Sequence, residues 1–322
     1  LALVVTARVA AGCGREETSE APAPITIGAL FSQTGVGDVY GPQQADGARL
    51  AVAEINAAGG VEGAELRLRV VDDASDPEQG KERMRSLIEN DRVAAVLGPS
   101  LSLVAIEADP VAERLRTLVL AVSNTANGIV GECPYACTWI WRDSLGEATA
   151  VPANIAAYAR RADASTGSIL TTSGDILGRH EAEIAREAFD ANGIVLLDDV
   201  PIPQEAVDSG EITSYVEEAI GGDPKVLFIG ATSGAIAAEA VRLARARGYK
   251  GAILGGNTFN SATTAAAAGA AGEGALSGAA WYAGNDFPVN AAFVRAYLRA
   301  YQEPPDQFAA QAYTGVHILA RA

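Results

Sequence analysis

Two short stretches of hydroxyl-bearing residues could bind an anion. Residues 99–102 (PSLS) follow the apolar segment AAVLG, and residues 123–125 (SNT) follow TLVLAV. A turn of this kind between a strand and a helix points free backbone N–H groups and hydroxyls at whatever lies over the strand end. Either stretch alone could be ordinary helix capping. On neighbouring strand ends, the two would form one nest of the size of a carboxylate.

Other residues that could support catalysis do not form a known motif. The glycines Gly35, Gly37 and Gly41 lack the Gly-x-Gly-x-x-Gly spacing of a dinucleotide site. No serine has glycine two positions away on both sides, as the nucleophile of many hydrolases does. His180 lies in a polar helical segment and His317 in the last apolar one, so we interpret the first as solvated and the second as packing. We therefore expect no enzymatic activity, no cofactor and no metal.

Two further pairs have alternative interpretations. Asp72 and Asp73 could form an acid/base or metal site, but their place at a strand end before a capped helix favours a solvated loop. Cys133 and Cys137 lie in the turn-like segment ECPYACT, where a local disulfide is the simplest interpretation in an oxidising compartment. Redox catalysis would favour a two-residue spacing, and a metal site would need further ligands from a chain with 2 His.

Length and composition limit the class of protein. The chain has 322 residues, which suggests two α/β units of roughly 120–150 residues each. Hydrophobic residues make up 49% and charged residues 20%, as in globular proteins. The net charge of -16 opposes binding to a polyanion, because such proteins present a basic face. Nucleic acid is therefore excluded as an expected partner.

Strand-like and helix-like segments alternate from Ile25 onward. The apolar run ITIGALFS is typical of a buried parallel strand, and a helical stripe with i, i+3, i+4 and i+7 spacing then starts at Ala48 and stops at Gly59. Asp76 and Pro77 provide an N-cap and a first-turn proline for the next helix. The same alternation restarts at SILTTS. Two such blocks predict two parallel-sheet lobes with ligands at the carboxyl ends of the strands.

The first residues, LALVVTARVAAGC, have the features of the end of a secretory signal. A short apolar run precedes the small residues Ala10, Ala11 and Gly12, and Cys13 follows them. The run is too short for a membrane-spanning helix, and a polar, Pro-containing tether comes next. The segment resembles a bacterial lipobox, which implies a lipid on Cys13; the alternative is an apolar N-terminus with an incidental cysteine. We assign residues 1–24 to this signal remnant, lipobox and tether.

Taken together, the motifs resemble the branched-chain amino-acid-binding proteins of ABC importers, from about Ile25 to the last residue. The stretches that carry the resemblance are IGALFSQTG, DGARLAVAEINAAGGVEG, VVDDASDPEQG, VAAVLGPSLS, SNTAN and the Trp-Arg-Asp that opens the second lobe. The resemblance implies the type I periplasmic binding protein fold, an α/β fold with two Rossmann-like lobes joined by a hinge. We expect lobe 1 to comprise residues 25–143 and 283–322, and lobe 2 to comprise residues 144–282.

The resemblance also implies a function. We expect an extracytoplasmic solute-binding lipoprotein, periplasmic or on the cell surface, that captures an amino acid or a related small carboxylate or amide between its lobes. It would deliver this solute to ABC permease subunits and would contact the membrane through its lipid anchor only. The alternative is a ligand-sensing receptor domain on the same fold. Because the family's final segment and a start residue are missing, we also expect the natural chain to extend beyond both ends.

Residue by residue, the resemblance implies a carboxylate site in the first lobe. Ser102 and Thr125 correspond to the hydroxyls that bind the ligand carboxylate, with the Ser123 backbone beside them. Tyr40 corresponds to the aromatic wall of that lobe.

The second lobe departs from the family pattern. Leu177 stands where an aromatic residue is common, Thr232 where tyrosine is common, and Asn257 where an acid usually receives the ligand ammonium. A neutral amide would compensate a buried ammonium poorly. Either Asp175 or Asp38 would then have to replace the acid, or the ligand would be a carboxylate without an amine, an amide or urea-like compound, or a small aromatic acid.

Overall fold

Ten strands and eleven α-helices alternate in the computed structural model, which describes residues 22–322 apart from 132 and 134–136. The strands are β1 (Ile25–Phe31), β2 (Leu66–Asp72), β3 (Ala95–Leu97), β4 (Leu118–Ala121), β5 (Ile140–Arg142), β6 (Thr166–Thr172), β7 (Val195–Ile202), β8 (Val226–Gly230), β9 (Ala252–Gly255) and β10 (Leu276–Ser277). The helices are α1 (Gly41–Ala57), α2 (Pro77–Glu89), α3 (Ser102–Leu115), α4 (Glu147–Ala159), α5 (Ile176–Ala191), α6 (Gln204–Ser209), α7 (Thr213–Gly221), α8 (Gly234–Ala246), α9 (Ala262–Ala268), α10 (Pro288–Tyr301) and α11 (Gln307–Leu319). The predicted lipidation site, Cys13, lies outside the described residues.

The strands form two five-stranded parallel sheets. The first has the order β2-β1-β3-β4-β5 and the second the order β10-β9-β8-β6-β7. We call each sheet with its packed helices lobe 1 and lobe 2, respectively. Strand β1 is buried from Ile27 to Phe31, as expected when helices cover both faces of a parallel sheet. The fold class predicted from the sequence, two Rossmann-like parallel-sheet lobes, is confirmed.

The last helix packs on lobe 1. Ala48 of α1 and Val316 of α11 belong to the same buried cluster as the inner face of β1. The two helices approach closely, because a Cβ on Gly47 would collide with the backbone of Ala309. The final residues therefore return to the first sheet after the chain has built the second. The positions of the predicted lobe boundaries stay a prediction.

Local sequence signals explain most helix starts. The predicted N-cap of α2 is confirmed, because the Asp76 side chain accepts a hydrogen bond of 2.8 Å from the Gln79 backbone N–H. Helix α4 was not anticipated, since Pro152 lies inside it and proline disfavours a helix interior. Strand β5 was also missed, because three residues carry too short a pattern to be recognised. No helix among the described residues combines the length and the hydropathy needed to cross a membrane.

The interpretation of Asp73 as part of a solvated loop is wrong. Its side chain is fully buried, and its Oδ1 accepts a hydrogen bond of 2.8 Å from the Ser75 backbone N–H. Asp72 accepts from the backbone N–H groups of Gln33 and Ala74. The pair thus organises the loop between β2 and α2. Burial raises the pKa of Asp73 to about 6.

Candidate ligand-binding site

All seven residues predicted for the site line one small cavity between the two lobes. The cavity measures about 10 Å³, which is room for about one water. Its lining residues are Tyr40, Ser100, Ser102, Leu103, Ser123, Asn124, Thr125, Asp175, Ile176, Leu177, Thr232 and Asn257. Several follow the carboxyl ends of β3, β4, β6, β8 and β9, where parallel α/β sheets hold ligands. The two lobes are closed on each other at this point.

The lobe 1 wall presents hydrogen-bond donors. Ser102 is the first residue of α3, and its Oγ accepts hydrogen bonds from the backbone N–H groups of Thr125 (3.3 Å) and Ala126 (3.2 Å). Both distances are long for this kind of bond. Two backbone N–H groups and the Ser102 hydroxyl thus converge at the ends of β3 and β4, while the Thr125 hydroxyl beside them donates to Glu147 Oε1 at 3.0 Å. Such a group of donors suits an anionic oxygen.

A buried network holds this wall in place. Gln44 donates from Nε2 to Ser123 Oγ at 2.5 Å, and Ser123 Oγ donates to the backbone oxygen of Ser100 at 2.6 Å. Ser100 Oγ donates to Gln44 Oε1 and accepts from the Ser32 backbone N–H. The hydroxyls of Ser100 and Ser123 are therefore engaged by the protein. They position the wall, while Ser102 and Thr125 face the cleft.

Tyr40 crosses the cleft. Its hydroxyl donates to the backbone oxygen of Thr232 at 2.9 Å and lies 2.5 Å from Thr258 Oγ1, both in lobe 2. Its ring packs edge-on against Phe308, with ring centroids 4.8 Å apart. Tyr40 is 2% exposed, so this contact is fully inside the closed cleft.

Asn257 also joins the two lobes. Its Nδ2 donates to the backbone oxygen of Ser123 at 3.1 Å, and its Oδ1 accepts from Gln307 Nε2 at 2.9 Å. Both ends of the amide therefore have partners on lobe 1. Another bond across the cleft runs from Ser261 Oγ to the backbone oxygen of Val39 at 3.0 Å.

Leu177 supplies an apolar contact between the lobes. It is the second residue of α5 and packs in a buried cluster with Ala105, Ala126 and Ile129 of lobe 1. A leucine here fills the space beside the hydroxyl wall without offering a polar group to a ligand.

The two acids considered as replacements for Asn257 differ in position. Asp38 is exposed, so it does not turn into the cleft. Asp175 lines the cavity, but it caps α5 by accepting from the Gly178 backbone N–H at 2.9 Å. It also accepts from Thr232 Oγ1 at 2.7 Å and from Thr172 Oγ1 at 2.6 Å. Its carboxylate is therefore already engaged on both oxygens.

Two buried acids behind the lobe 2 wall were missed by the sequence analysis. Glu147, the first residue of α4, is 1% exposed, and Glu181 on α5 is fully buried. Burial raises the pKa of Glu147 to about 7. Burial and then the neighbouring Glu147 and Asp175 raise the pKa of Glu181 well above its usual value. One local signal existed, since Glu181 interrupts the apolar stripe that runs from Leu177 to Ala188 at helical spacing.

The remaining residues singled out by the sequence lie outside the cleft lining. Cys133 and Cys137 are joined as a disulfide with Cα atoms 6.1 Å apart. His317 is half-buried against Tyr313, with ring centroids 4.6 Å apart. Within the described residues, no three His, Cys, Asp or Glu side chains are grouped so that they could hold a metal ion.

A cleft between two parallel-sheet lobes, with donors on one side and acids on the other, defines a two-lobed small-molecule-binding protein. The model of the periplasmic binding protein family matches residues 24–322. The chain belongs to this family, which confirms the family predicted from the sequence.

Individual relatives agree with this assignment. The Leu/Ile/Val-binding protein BraC3 of Rhizobium johnstonii is 38% identical over 106 residues, which are 33% of this chain and 29% of that protein. The chain thus aligns with less than a third of this curated relative. Among solved structures, the branched-chain amino acid transporter substrate binding protein LivJ of Streptococcus pneumoniae, in complex with isoleucine, is 25% identical with a TM-score of 0.83. The match covers 93% of this chain and 83% of LivJ.

A second solved structure shares the fold. It is the solute binding protein of an ABC transporter from Rhodopseudomonas palustris, in complex with 3,4-dihydroxybenzoic acid. It is 20% identical with a TM-score of 0.78, and the match covers 92% of this chain and 80% of that protein.

Proposed function

We propose that the chain is the solute-binding protein of an ABC importer. It captures an amino acid or a related small carboxylate or amide between its lobes and delivers this solute to the permease. The observation that carries the proposal is the convergence of two backbone N–H groups with Ser102 and Thr125 at the strand ends of lobe 1. A neutral hydroxyl oxygen shared between two N–H groups at more than 3 Å is a weak acceptor. A ligand carboxylate would make shorter, stronger bonds with the same groups.

Closure of the lobes over the ligand follows from the size of the cavity. About 10 Å³ cannot hold an amino acid, so the lobes must separate before a ligand enters. The hydrogen bonds of Tyr40, Asn257 and Ser261 across the cleft would break on opening. The hinge would lie in residues 143–146 and 278–287, which connect the elements of one lobe to those of the other. Such hinges in connecting segments are usual for two-lobed binding proteins.

The location and the membrane partner belong to the same proposal. The chain would act outside the cytoplasm, tethered by a lipid on Cys13 and free of other membrane contact. The relatives named above support the solute class, since their names include Leu/Ile/Val binding and a complex with isoleucine.

A thermal-shift screen tests the proposal. The panel contains the twenty amino acids, simple amides, urea, benzoate and 3,4-dihydroxybenzoate. We expect at least one compound to raise the melting temperature, because a ligand at 100 times its dissociation constant stabilises the protein by about 2.7 kcal/mol. The shift should shrink in Ser102→Ala and persist in Ser214→Ala, which changes an exposed serine on α7. If no compound shifts the melting temperature and equilibrium dialysis detects no binding, the proposed function is wrong.

A further inference from the structure

We infer that Glu147 and Glu181 are the cation-binding pair of the cleft, so that the ligand carries an amine as well as a carboxylate. This inference rests on the function proposed above and narrows its solute class to small zwitterions. The family pattern provides one acid at the position of Asn257, whereas this chain places two acids on different helices, α4 and α5.

Glu147 sits at the junction of the two lobes. Its Oε1 accepts a hydrogen bond of 3.0 Å from Thr125 Oγ1, one of the hydroxyls in the donor wall. Its Oε2 has no hydrogen-bond partner among the described residues. One oxygen is thus fixed beside the carboxylate nest, and the other is buried without a hydrogen-bond partner.

Glu181 lies against the strand ends of lobe 2. Neither of its carboxylate oxygens has a hydrogen-bond partner within the described part of the chain. A Cβ on Gly256, just after β9, or on Gly230, the last residue of β8, would collide with this carboxylate. The two glycines therefore make room for the acid at the strand ends that face the cleft. A buried polar group without a partner is costly, and its position suits a group supplied from the cleft.

Acidic groups outnumber cations around this pair. Tyr40 projects into the cleft close enough to Glu181, Asp175 and Glu147 for each of these carboxylates to raise the pKa of its hydroxyl, although burial is the larger cause. Arg142 is the cation that acts on Glu147, and it also acts on the buried Asp109. Asp175 is engaged by three donors on its own lobe. The carboxylate oxygens of this site that lack a hydrogen-bond partner among the described residues are therefore Oε2 of Glu147 and both oxygens of Glu181.

An ammonium group would satisfy both acids. An opposite charge within about 4–6 Å favours the ionised form of a carboxylate, and three N–H donors could serve several of the free oxygens. The Asn257 backbone N–H also favours the ionised form of both acids. A ligand without an amine would leave two protonated or unpaired carboxyl groups directly behind the lobe 2 wall. The acceptors behind this wall and the donors around Ser102 together match a zwitterion.

Calorimetric titration of matched ligand pairs tests the inference. Each amino acid is compared with the same acid lacking the amine, for example isoleucine with 3-methylpentanoic acid. We expect the amino acid that binds best to bind at least about tenfold more tightly than its amine-free counterpart. Equal affinity, or binding of amine-free acids alone, would overturn the inference and leave the proposed function standing. Failure of both kinds of ligand to bind would overturn both.

Two variants test whether the preference for an amine comes from Glu147 and Glu181. Glu181→Gln and Glu147→Gln should each reduce the affinity for the amino acid by about 10- to 100-fold and change that for the amine-free acid far less. Without ligand, Glu181→Gln should melt at a higher temperature than the wild type, because it removes a buried carboxylate that has no partner. The control is Glu187→Gln, at an exposed position on α5. It should change neither the ligand affinities nor the melting temperature. Unchanged selectivity in both variants would show that the pair does not bind the amine.

Discussion

The two walls of the cleft differ in charge and in how far their polar groups are satisfied. On lobe 1, Ser100 and Ser123 are held by Gln44, and the groups that face the cleft are N–H and hydroxyl donors. Behind the lobe 2 wall, Oε2 of Glu147 and both carboxylate oxygens of Glu181 have no hydrogen-bond partner within the described part of the chain. One wall is preorganised for an anion, and the other lacks a cation. This difference would orient the proposed zwitterion, with its carboxylate towards lobe 1 and its amine towards lobe 2.

The largest expected effect is a change in the free energy of unfolding with pH, caused by ionisation of the buried Glu147. The pKa of Glu147 in the folded protein is about 7, above its ordinary 4.5. The folded protein therefore keeps a proton that the unfolded chain loses. Its contribution to stability is fully present below pH 4.5 and is lost as the pH rises through about 7. The loss amounts to at most about 3 kcal/mol.

Urea denaturation at pH 4.5 and pH 8 measures this effect. The free energy of unfolding of the wild type should fall relative to that of Glu147→Gln as the pH rises. Exposed Glu187→Gln should follow the wild type at both values. Parallel curves for wild type and Glu147→Gln would mean that Glu147 ionises normally in the folded protein.

The next effect concerns the donor wall. Ser102→Ala removes a hydroxyl that would bind the ligand carboxylate, and the affinity should fall by about 1.5–3 kcal/mol, the usual value for a hydrogen bond to a charged group. The loss should be the same for the amino acid and for its amine-free counterpart, since both carry the carboxylate. Calorimetry that finds full affinity in Ser102→Ala would remove this residue from the site.

A smaller effect is expected from the hydrogen bond that Tyr40 makes across the cleft. Tyr40→Phe removes the hydrogen bond to the Thr232 backbone oxygen and should cost about 1 kcal/mol of stability. Tyr301→Phe is the matched control, because its hydroxyl donates to the backbone oxygen of Asp46 within lobe 1 at 2.8 Å. Both variants should lose stability, but small-angle scattering should show a more open particle for Tyr40→Phe alone. Identical scattering from both would mean that Tyr40 does not hold the lobes together.

The smallest effect distinguishes the acids of lobe 2 from one another. Asp175→Asn keeps the oxygen that accepts from Gly178 and Thr232, and asparagine caps helices about as well as aspartate. Its amide nitrogen replaces the oxygen that accepts from Thr172, so we expect a loss of stability of at most about 1 kcal/mol and an unchanged preference for amine-bearing ligands. A lost preference would make Asp175, rather than the Glu147–Glu181 pair, the partner of the amine.

The sequence predicted the donor wall more completely than the acidic one. Ser102 and Thr125 belong to short motifs directly after strands, so local pattern and resemblance both located them. Glu147 and Glu181 lie 34 positions apart on two helices, and only folding brings both behind the cleft wall. Helix α4, which begins with Glu147, was itself missed because of Pro152.

The consequence of the asparagine at position 257 could not be derived from the sequence. The missing acid suggested either that Asp175 or Asp38 replaces it or that the ligand lacks an amine. In the folded protein the Asn257 amide bonds to Ser123 and Gln307 across the cleft, and we propose that Glu147 and Glu181 take the place of the missing acid. Burial of Asp73 was also missed, and its backbone N–H donates to the backbone oxygen of Phe31, which is distant in sequence.

A crystal structure of the protein with the amino acid that gives the largest thermal shift tests the central claim most directly. We predict ligand density between the lobes, with the carboxylate within hydrogen-bond distance of the Thr125 N–H and Ser102 Oγ. The amine should lie within reach of Glu147 and Glu181. Density at any other place, such as the exposed groove beside Trp281 and Phe287, or a ligand bound with its amine towards Ser102, would contradict the account.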